Sequence, residues 1–417
     1  MMNMKSFFLK KDNRIEICFY LVIAVLPFTM ILSPISLGLL ALSIFFFSDK
    51  LGRKDQFRRN RILVLFLIYY FFQVIGIFYS PEYGLKYSRV ASQLPLLAIP
   101  LLFVLAKLNL EYIKKAKTVF IFSCVLFCVL ALLTLAYNYV VNYEHRLNYN
   151  FVQRSMYHFH YPYDVMYLNV ANIFLLFSAF ANQYKRWISL LFFIIIVLSG
   201  VRIGLFTYGL VVLVYGVLNF KQLYNVKTIL YLVSITILGV FLINTSQYVN
   251  DKFYDSLDKF GLDTKEYVSE IGEDYHKMSV RNKIWSSSYE AFKKKMILGY
   301  GPKGSKEVLN TIYENKGYTQ LKDFNSHNQY MTTSLNHGII GLVLLLLIII
   351  IALVKVYKTK NLQQFMVILT ILIAFCTESV LLRQKGVTFF SIFFTLVFIE
   401  TNLLQAQKQI LTVDEVV

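Results

Sequence analysis

The chain has 417 residues, 57% of them hydrophobic and 16% charged. Soluble globular domains carry about 25% charged residues, so the composition excludes an ordinary soluble domain and points to a polytopic membrane protein. The net charge of +18 would suggest nucleic acid in a soluble protein, but here the excess sits in short loops between apolar runs. That is the sorting pattern of cytoplasmic loops, and no nucleic-acid partner is expected.

The N-terminus is polar and basic (Lys5, Lys10, Lys11, Arg14) and leads into an apolar run as long as a membrane span. No small-residue cleavage site follows, so no cleavable signal peptide is expected. Crossing the hydrocarbon core takes about 20 apolar residues in a helix, and scanning for such runs gives about twelve predicted spans, some short. They lie at 15–32, 35–48, 62–78, 94–106, 118–141, 163–181, 187–199, 203–220, 228–244, 334–354, 362–382 and 387–403. Cys18, Cys124, Cys128 and Cys376 all fall inside apolar runs without metal-ligand spacing, which predicts neither a disulfide framework nor a zinc site.

Loop charge tests the count. With the N-terminus inside, the predicted cytoplasmic loops hold clusters such as Arg53, Lys54 and Arg58, then Lys114, Lys115 and Lys117, then Lys355, Lys358 and Lys360. The opposite short loops hold few cations, among them Lys86, Arg89, Arg202, Arg383 and Lys385. The bias keeps its sign along the chain and predicts an all-α protein of about twelve transmembrane helices with both termini cytoplasmic. Its three parts are residues 1–244 (nine helices), an external loop at 245–333, and residues 334–417 (three helices and a tail). A loop of that size should contain helices of its own, because structureless loops beyond about 15 residues are uncommon. One is legible: Ser279 caps a predicted helix from Val280 to Leu298, stopped by Gly299 after Lys293, Lys294 and Lys295. Arg281, Trp285, Tyr289, Phe292 and Met296 recur on one face, so this helix lies along the membrane or packs on the bundle. No internal repeat of the transporter kind is present.

Several residues have chemistry to offer. Arg202, at the joint between two apolar runs, is either a snorkelling interface anchor or a bidentate phosphate ligand. His327, in Phe324-Asn-Ser-His-Asn-Gln-Tyr330 at the mouth of an apolar run, is either a polar interface residue or a general base oriented by Asn328 or Ser326. The turn Gly299-Tyr300-Gly301-Pro302-Lys303-Gly304 is a helix stop that also offers backbone N–H groups and Lys303 to an anion. Glu378, Arg383 and Lys385 form a charged cluster in which Glu378 pairs with Arg383 or with a substrate-binding arginine. His145, His158 and His160 lie in a tyrosine-rich outer loop without partners at ligand spacing. They read as surface aromatics, with His160 the one placed best for a substrate.

Three strings in this order resemble the O-antigen ligase and polymerase superfamily of bacterial membrane glycosyltransferases. They are Ser199-Gly-Val-Arg-Ile-Gly204; Arg281-Asn-Lys-Ile-Trp285 leading to Gly299-Tyr-Gly301; and Ser326-His-Asn-Gln-Tyr330 with Gly338-Ile-Ile-Gly341. The resemblance implies an inner-membrane enzyme that moves a glycan from undecaprenyl diphosphate to an acceptor at the periplasmic face, without cofactor or metal. His327 would be the base and Arg202 and Arg281 the diphosphate ligands, with Tyr300, Lys303, Asn328, Glu378, Arg383 and His160 around the substrate. The acceptor would be the lipid A–core glycolipid (a ligase), a growing glycan (a polymerase) or a protein hydroxyl (an oligosaccharyltransferase). A non-enzymatic glycolipid transporter is the reading from a different class. Asn336 and His337 stand where many relatives place an acidic residue, which makes His337 a second candidate base.

Overall fold

In a computed structural model of the protein, residues 11–48, 57–58, 60–61, 63–79, 82, 85, 87–141, 155–156, 161–178, 183–219 and 280–414 are described. Every regular element among them is helical. In chain order they are α1 (Lys11–Ala24), α2 (Leu32–Phe47), α3 (Leu63–Ile75, extended by a 3-10 turn at Gly76–Phe78), α4 (Ser88–Gln93), α5 (Pro95–Leu105) and α6 (Leu110–Val141). Then come α7 (Tyr161–Leu176), α8 (Lys185–Ser199), α9 (Arg202–Leu218), α10 (Val280–Lys294) and α11 (Gly301–Asn315). The last three are α12 (Gln329–Thr359), α13 (Leu362–Thr377) and α14 (Gln384–Asp414).

Among the described residues, four stretches are long and apolar enough to cross a membrane: Ser88–Leu105, Leu110–Val141, Gln329–Thr359 and Gln384–Gln409. Leu32–Phe47, Leu63–Phe78, Arg202–Leu218 and Leu362–Thr377 are apolar but shorter. The expected run at 15–32 is not one helix: α1 ends at Ala24 and α2 begins at Leu32. Pro27 explains the break, since it has no N–H to give and its ring clashes with the carbonyl four residues back. The expected span at 228–244 lies outside the described residues, as does Ser279.

The chain divides into two compact units, residues 1–116 with 274–417, and residues 117–273. In the first, α14 is the central helix: 78% of its spanning window is buried, against 33% for α12. A helix apolar on all sides belongs in the middle of a bundle. Between α14, α3 and α13 the rings of Phe66, Phe375, Phe390 and Phe398 interlock, with Phe375 and Phe390 centroids 5.8 Å apart. Lipid tails are as apolar as these rings, so close packing rather than escape from water holds such helices together. α12 lies against α3, α13 and α14, and α10 and α11 pack on its N-terminal part.

In the second unit α7 packs on α8 and α9. The Asn169 amide donates to the Gly204 carbonyl at 3.2 Å, and a Cβ at Gly204 would lie 2.0 Å from Val165. That close approach requires glycine there.

Candidate active site

The site is built on the N-terminus of α12. Asn328 is its N-cap, extended at φ −155°, with the side-chain oxygen accepting from Met331 N at 3.1 Å. Just before it, His327 is held at φ +42°, a left-handed conformation unusual for a residue with a Cβ. The Asn325 side chain makes this turn possible by accepting from His327 N at 2.8 Å. Ser326 is buried, and its hydroxyl bonds Thr332 Oγ1 and the Asn328 carbonyl. The result is a fixed backbone that turns the imidazole outward, its side chain 32% exposed.

Glu378, the residue that ends α13, meets that imidazole: Oε2 lies 3.4 Å from His327 Nδ1. With the proton on Nδ1 toward the carboxylate, Nε2 keeps its lone pair for a substrate proton. A polar chain braces the pair. Thr332 Oγ1 bonds Ser379 Oγ at 2.7 Å, and Ser379 donates to Asn325 Oδ1 at 3.0 Å. The next residues, the 3-10 turn Val380–Leu382, are clamped from two helices. Leu381 N donates to Gln329 Oε1 at 2.7 Å, Gln93 Nε2 donates to the Leu381 carbonyl at 2.8 Å, and Arg89 donates to the Leu382 carbonyl.

α10 supports the loop from the other side. Trp285 Nε1 donates to the Ser326 carbonyl at 3.0 Å, and Arg281 stands one helical turn earlier, exposed. The packed face of α10 is centred on Ile284, Ser287, Ser288 and Ala291; of the stripe expected from the sequence, Trp285 and Phe292 pack against the same cluster, while Arg281, Tyr289 and Met296 are exposed. Small residues win this face because they let α10 approach the cluster of Leu309, Ile312, Tyr313 and Leu335 closely. The helix also ends at Lys294, short of the expected Leu298.

Beyond it, residues 295–300 are joined to a break in α12. Gly338 there has φ +62° and ψ −162°, and the backbone groups freed by the break find partners across the joint. Ile339 N donates to the Met296 carbonyl at 2.8 Å and Tyr300 N to the Leu335 carbonyl at 2.8 Å. A Cβ at Gly338 would lie 2.0 Å from the Ile297 carbonyl oxygen, and one at Gly299 would lie 2.5 Å from that of Leu335. The two glycine motifs are halves of a single joint that sets α10, and with it Arg281 and Trp285, against the helix that carries His327.

The expected site residues sort as follows. His327 and Glu378 come together, and Glu378 pairs with the histidine rather than with Arg383, which is exposed. Both ends of the Asn328 amide serve the fold, capping α12 and donating to the Cys376 carbonyl at 3.2 Å. Tyr300 is also structural: its hydroxyl donates to the Ala291 carbonyl at 2.9 Å. Lys303 is exposed in the first turn of α11, a helix absent from the sequence reading although Pro302 at its start is a helix-opening signal. Arg202 belongs to the second unit, where Gly200 at φ +66° ends α8 and Arg202 opens α9. His160 lies outside the described residues. His337 is 1% exposed, and neither ring nitrogen has a hydrogen-bond partner. It is wedged between Gly76 and Gly341 and beside Phe72 and Tyr79. A side chain so enclosed cannot reach a substrate, so it is not a second base. Arg89, Gln93, Gln329 and Ser379 were missed, because scattered polar residues that serve backbone carbonyls follow no motif. Among the described residues no three His, Cys, Asp or Glu side chains group as a metal cage.

Residues 187–346 match a family model described as O-antigen ligase. The match supports membership of the O-antigen ligase superfamily. The matched stretch carries Arg202, Arg281 and His327, while Glu378 lies beyond it. No curated protein matches the chain. The family consists of ligase and polymerase enzymes, which supports a glycosyltransferase-like role in polysaccharide assembly.

Proposed function

We propose that the protein transfers a glycan from undecaprenyl diphosphate to the lipid A–core glycolipid at the periplasmic face of the inner membrane. The observation that carries this is the outward-facing His327 with Glu378 on its Nδ1, at the mouth of a spanning helix inside the matched domain. His327 Nε2 takes the proton of an acceptor hydroxyl as its oxygen bonds to the anomeric carbon of the donor sugar. The bond from that carbon to the diphosphate breaks, and the lipid diphosphate leaves with the electron pair. Arg281 and Arg202 are the diphosphate ligands in this reading, each able to hold two oxygens in a fork, and they take the place of a metal ion. Lys303, Arg383 and His160 are further substrate contacts in this reading. The topology that goes with it has about twelve spans, both termini in the cytoplasm and the 245–333 loop in the periplasm.

Electrophoresis of lipopolysaccharide from a deletion strain tests the assignment. A ligase deletion leaves lipid A–core with nothing attached while long chains persist on the carrier lipid. A band of core plus one repeat unit would make the protein a polymerase, and unchanged lipopolysaccharide would point to a protein or other acceptor.

A further inference from the structure

The turn that follows α10 shows three consecutive apolar side chains to the outside: Met296, Ile297 and Leu298, with Ile297 67% exposed. Runs of this kind on a surface in water are unfavourable unless something covers them. The turn is not loose. Its backbone is bonded into the break of α12, and Lys295 Nζ donates to the Tyr79 carbonyl at 3.0 Å from the other side. The three side chains are therefore held out by a rigid frame.

Their height relative to the membrane follows from α12. From the break onward this helix exposes one apolar stripe, Ile339, Val343, Leu347, Ile350 and Val354, at helical spacing. The residues before the break, from Thr332 to His337, are buried and mostly polar. Counting back about 20 residues, the length of a span, from exposed Tyr357 just before Lys358 and Lys360 reaches Gly338. The edge of the hydrocarbon thus falls at the break, and Ile339 N is bonded to the Met296 carbonyl at that level. The exposed turn continues the lipid-facing stripe of a spanning helix. Charge agrees: Lys293 and Lys294 are exposed one turn earlier, Lys294 and Lys316 bracket Glu290, and Lys293 stacks on exposed Tyr289. Basic residues above an apolar edge suit an anionic lipid surface.

We infer that Met296–Leu298 is an anchor immersed in the leaflet at the N-terminal end of α12, with Lys293 and Lys294 on its anionic headgroups. The anchor fixes the height of α10, and so of Arg281 and Trp285, above the bilayer. It does not depend on which glycan or acceptor the enzyme uses.

Ile297→Trp, in the full chain reconstituted in vesicles containing phosphatidylglycerol, tests this by its fluorescence relative to the parent chain. The added indole should emit to the blue, be quenched several-fold more by lipids brominated on the acyl chain than by aqueous iodide, and do so less in vesicles of phosphatidylcholine alone. Gln320→Trp, at an exposed position of the turn Thr319–Leu321, should behave oppositely. Should Ile297→Trp fail to assemble, Leu298→Trp reads the same property. Iodide quenching equal to that of Gln320→Trp would overturn the anchor. Protection from both quenchers that disappears on dilution in lipid would also overturn it and assign the patch to a second copy of the chain.

Discussion

His327 and His337 close the two ends of one short polar stretch, yet the fold gives them opposite surroundings. His327 is lifted out of the helix by a left-handed turn, is a third exposed, and has a carboxylate on one ring nitrogen. His337 lies inside, between two glycines and two aromatic rings, with no hydrogen bond to either nitrogen. An imidazole acts as a base only if a proton donor can reach one nitrogen, and it does so best when a partner on the other fixes its tautomer. The first has both conditions and the second has neither. The contrast teaches that the break at Gly338 separates an accessible end of α12 from a packed joint, and in the proposed mechanism the joint serves the chemistry by holding α10 in place.

The sharpest way to break the comparison is to remove the joint. Gly338→Ala sets a Cβ 2.0 Å from the Ile297 carbonyl oxygen and asks alanine to adopt φ +62° with ψ −162°. Backbone strain and overpacking each cost roughly 1–3 kcal/mol. The expected outcome is loss of monodisperse protein after extraction, read by size-exclusion yield and melting temperature. A variant of normal yield and melting point would show that the joint adapts and does not hold α10.

Exchanging the histidines' fates comes next. His327→Ala should lower transfer per folded molecule by about 10²- to 10⁴-fold, with membrane insertion and donor binding retained. His337→Leu removes no hydrogen bond and should keep turnover within a few-fold, at some cost in melting temperature. In vitro transfer with purified variants measures both, and the reverse ranking would reassign the base.

A smaller effect belongs to Glu378→Gln, which keeps the side chain's size but not its charge. Steering of the imidazole should weaken and kcat fall by roughly 10- to 10²-fold, less than loss of the base itself, with KM little changed. A rise in KM at constant kcat would instead make Glu378 a substrate contact.

The difference between these residues also marks what could be read from the chain alone. Helical character, the helix beginning at Val280, the strings around Arg202, Arg281 and His327, and the family all follow from local patterns, which one stretch of sequence contains in full. The meeting of His327 with Glu378 does not, because the two are 51 positions apart and belong to different helices. The burial of His337 depends on glycines at 76 and 341, which only the packing of α3 on α12 brings to the same ring. The centre of the packed face of α10 is hidden for a related reason: hydrophobicity marks the aromatic stripe, of which Trp285 and Phe292 do pack, whereas shape selects the serines and alanine that permit closest approach. Arg89 was read as loop charge and is instead buried on the Leu382 carbonyl, a role that leaves no trace in spacing.

The least effect is expected where α11 touches the loop before His327 through exposed charges. Lys306 Nζ lies 2.8 Å from Asp323 Oδ1, and both side chains are open to water. The Lys306 ammonium, and after it the Asn310 amide, hold the Asp323 carboxyl below its usual range. A carboxylate with a depressed pKa adds stability above its unfolded value of about 3.9 and loses it as the pH falls through the folded value. Lys306→Ala should therefore lower the melting temperature slightly at pH 7 and make no difference in acid below both values. Exposed pairs are weak, and the bond from Asp323 N to Asn310 Oδ1 at 2.8 Å does not involve Lys306. Transfer should stay within about twofold of the parent, as for surface changes generally. A large loss of activity with an unchanged melting curve would mean that Lys306 faces the substrate, and would extend the proposed site on α12 to the surface of α11.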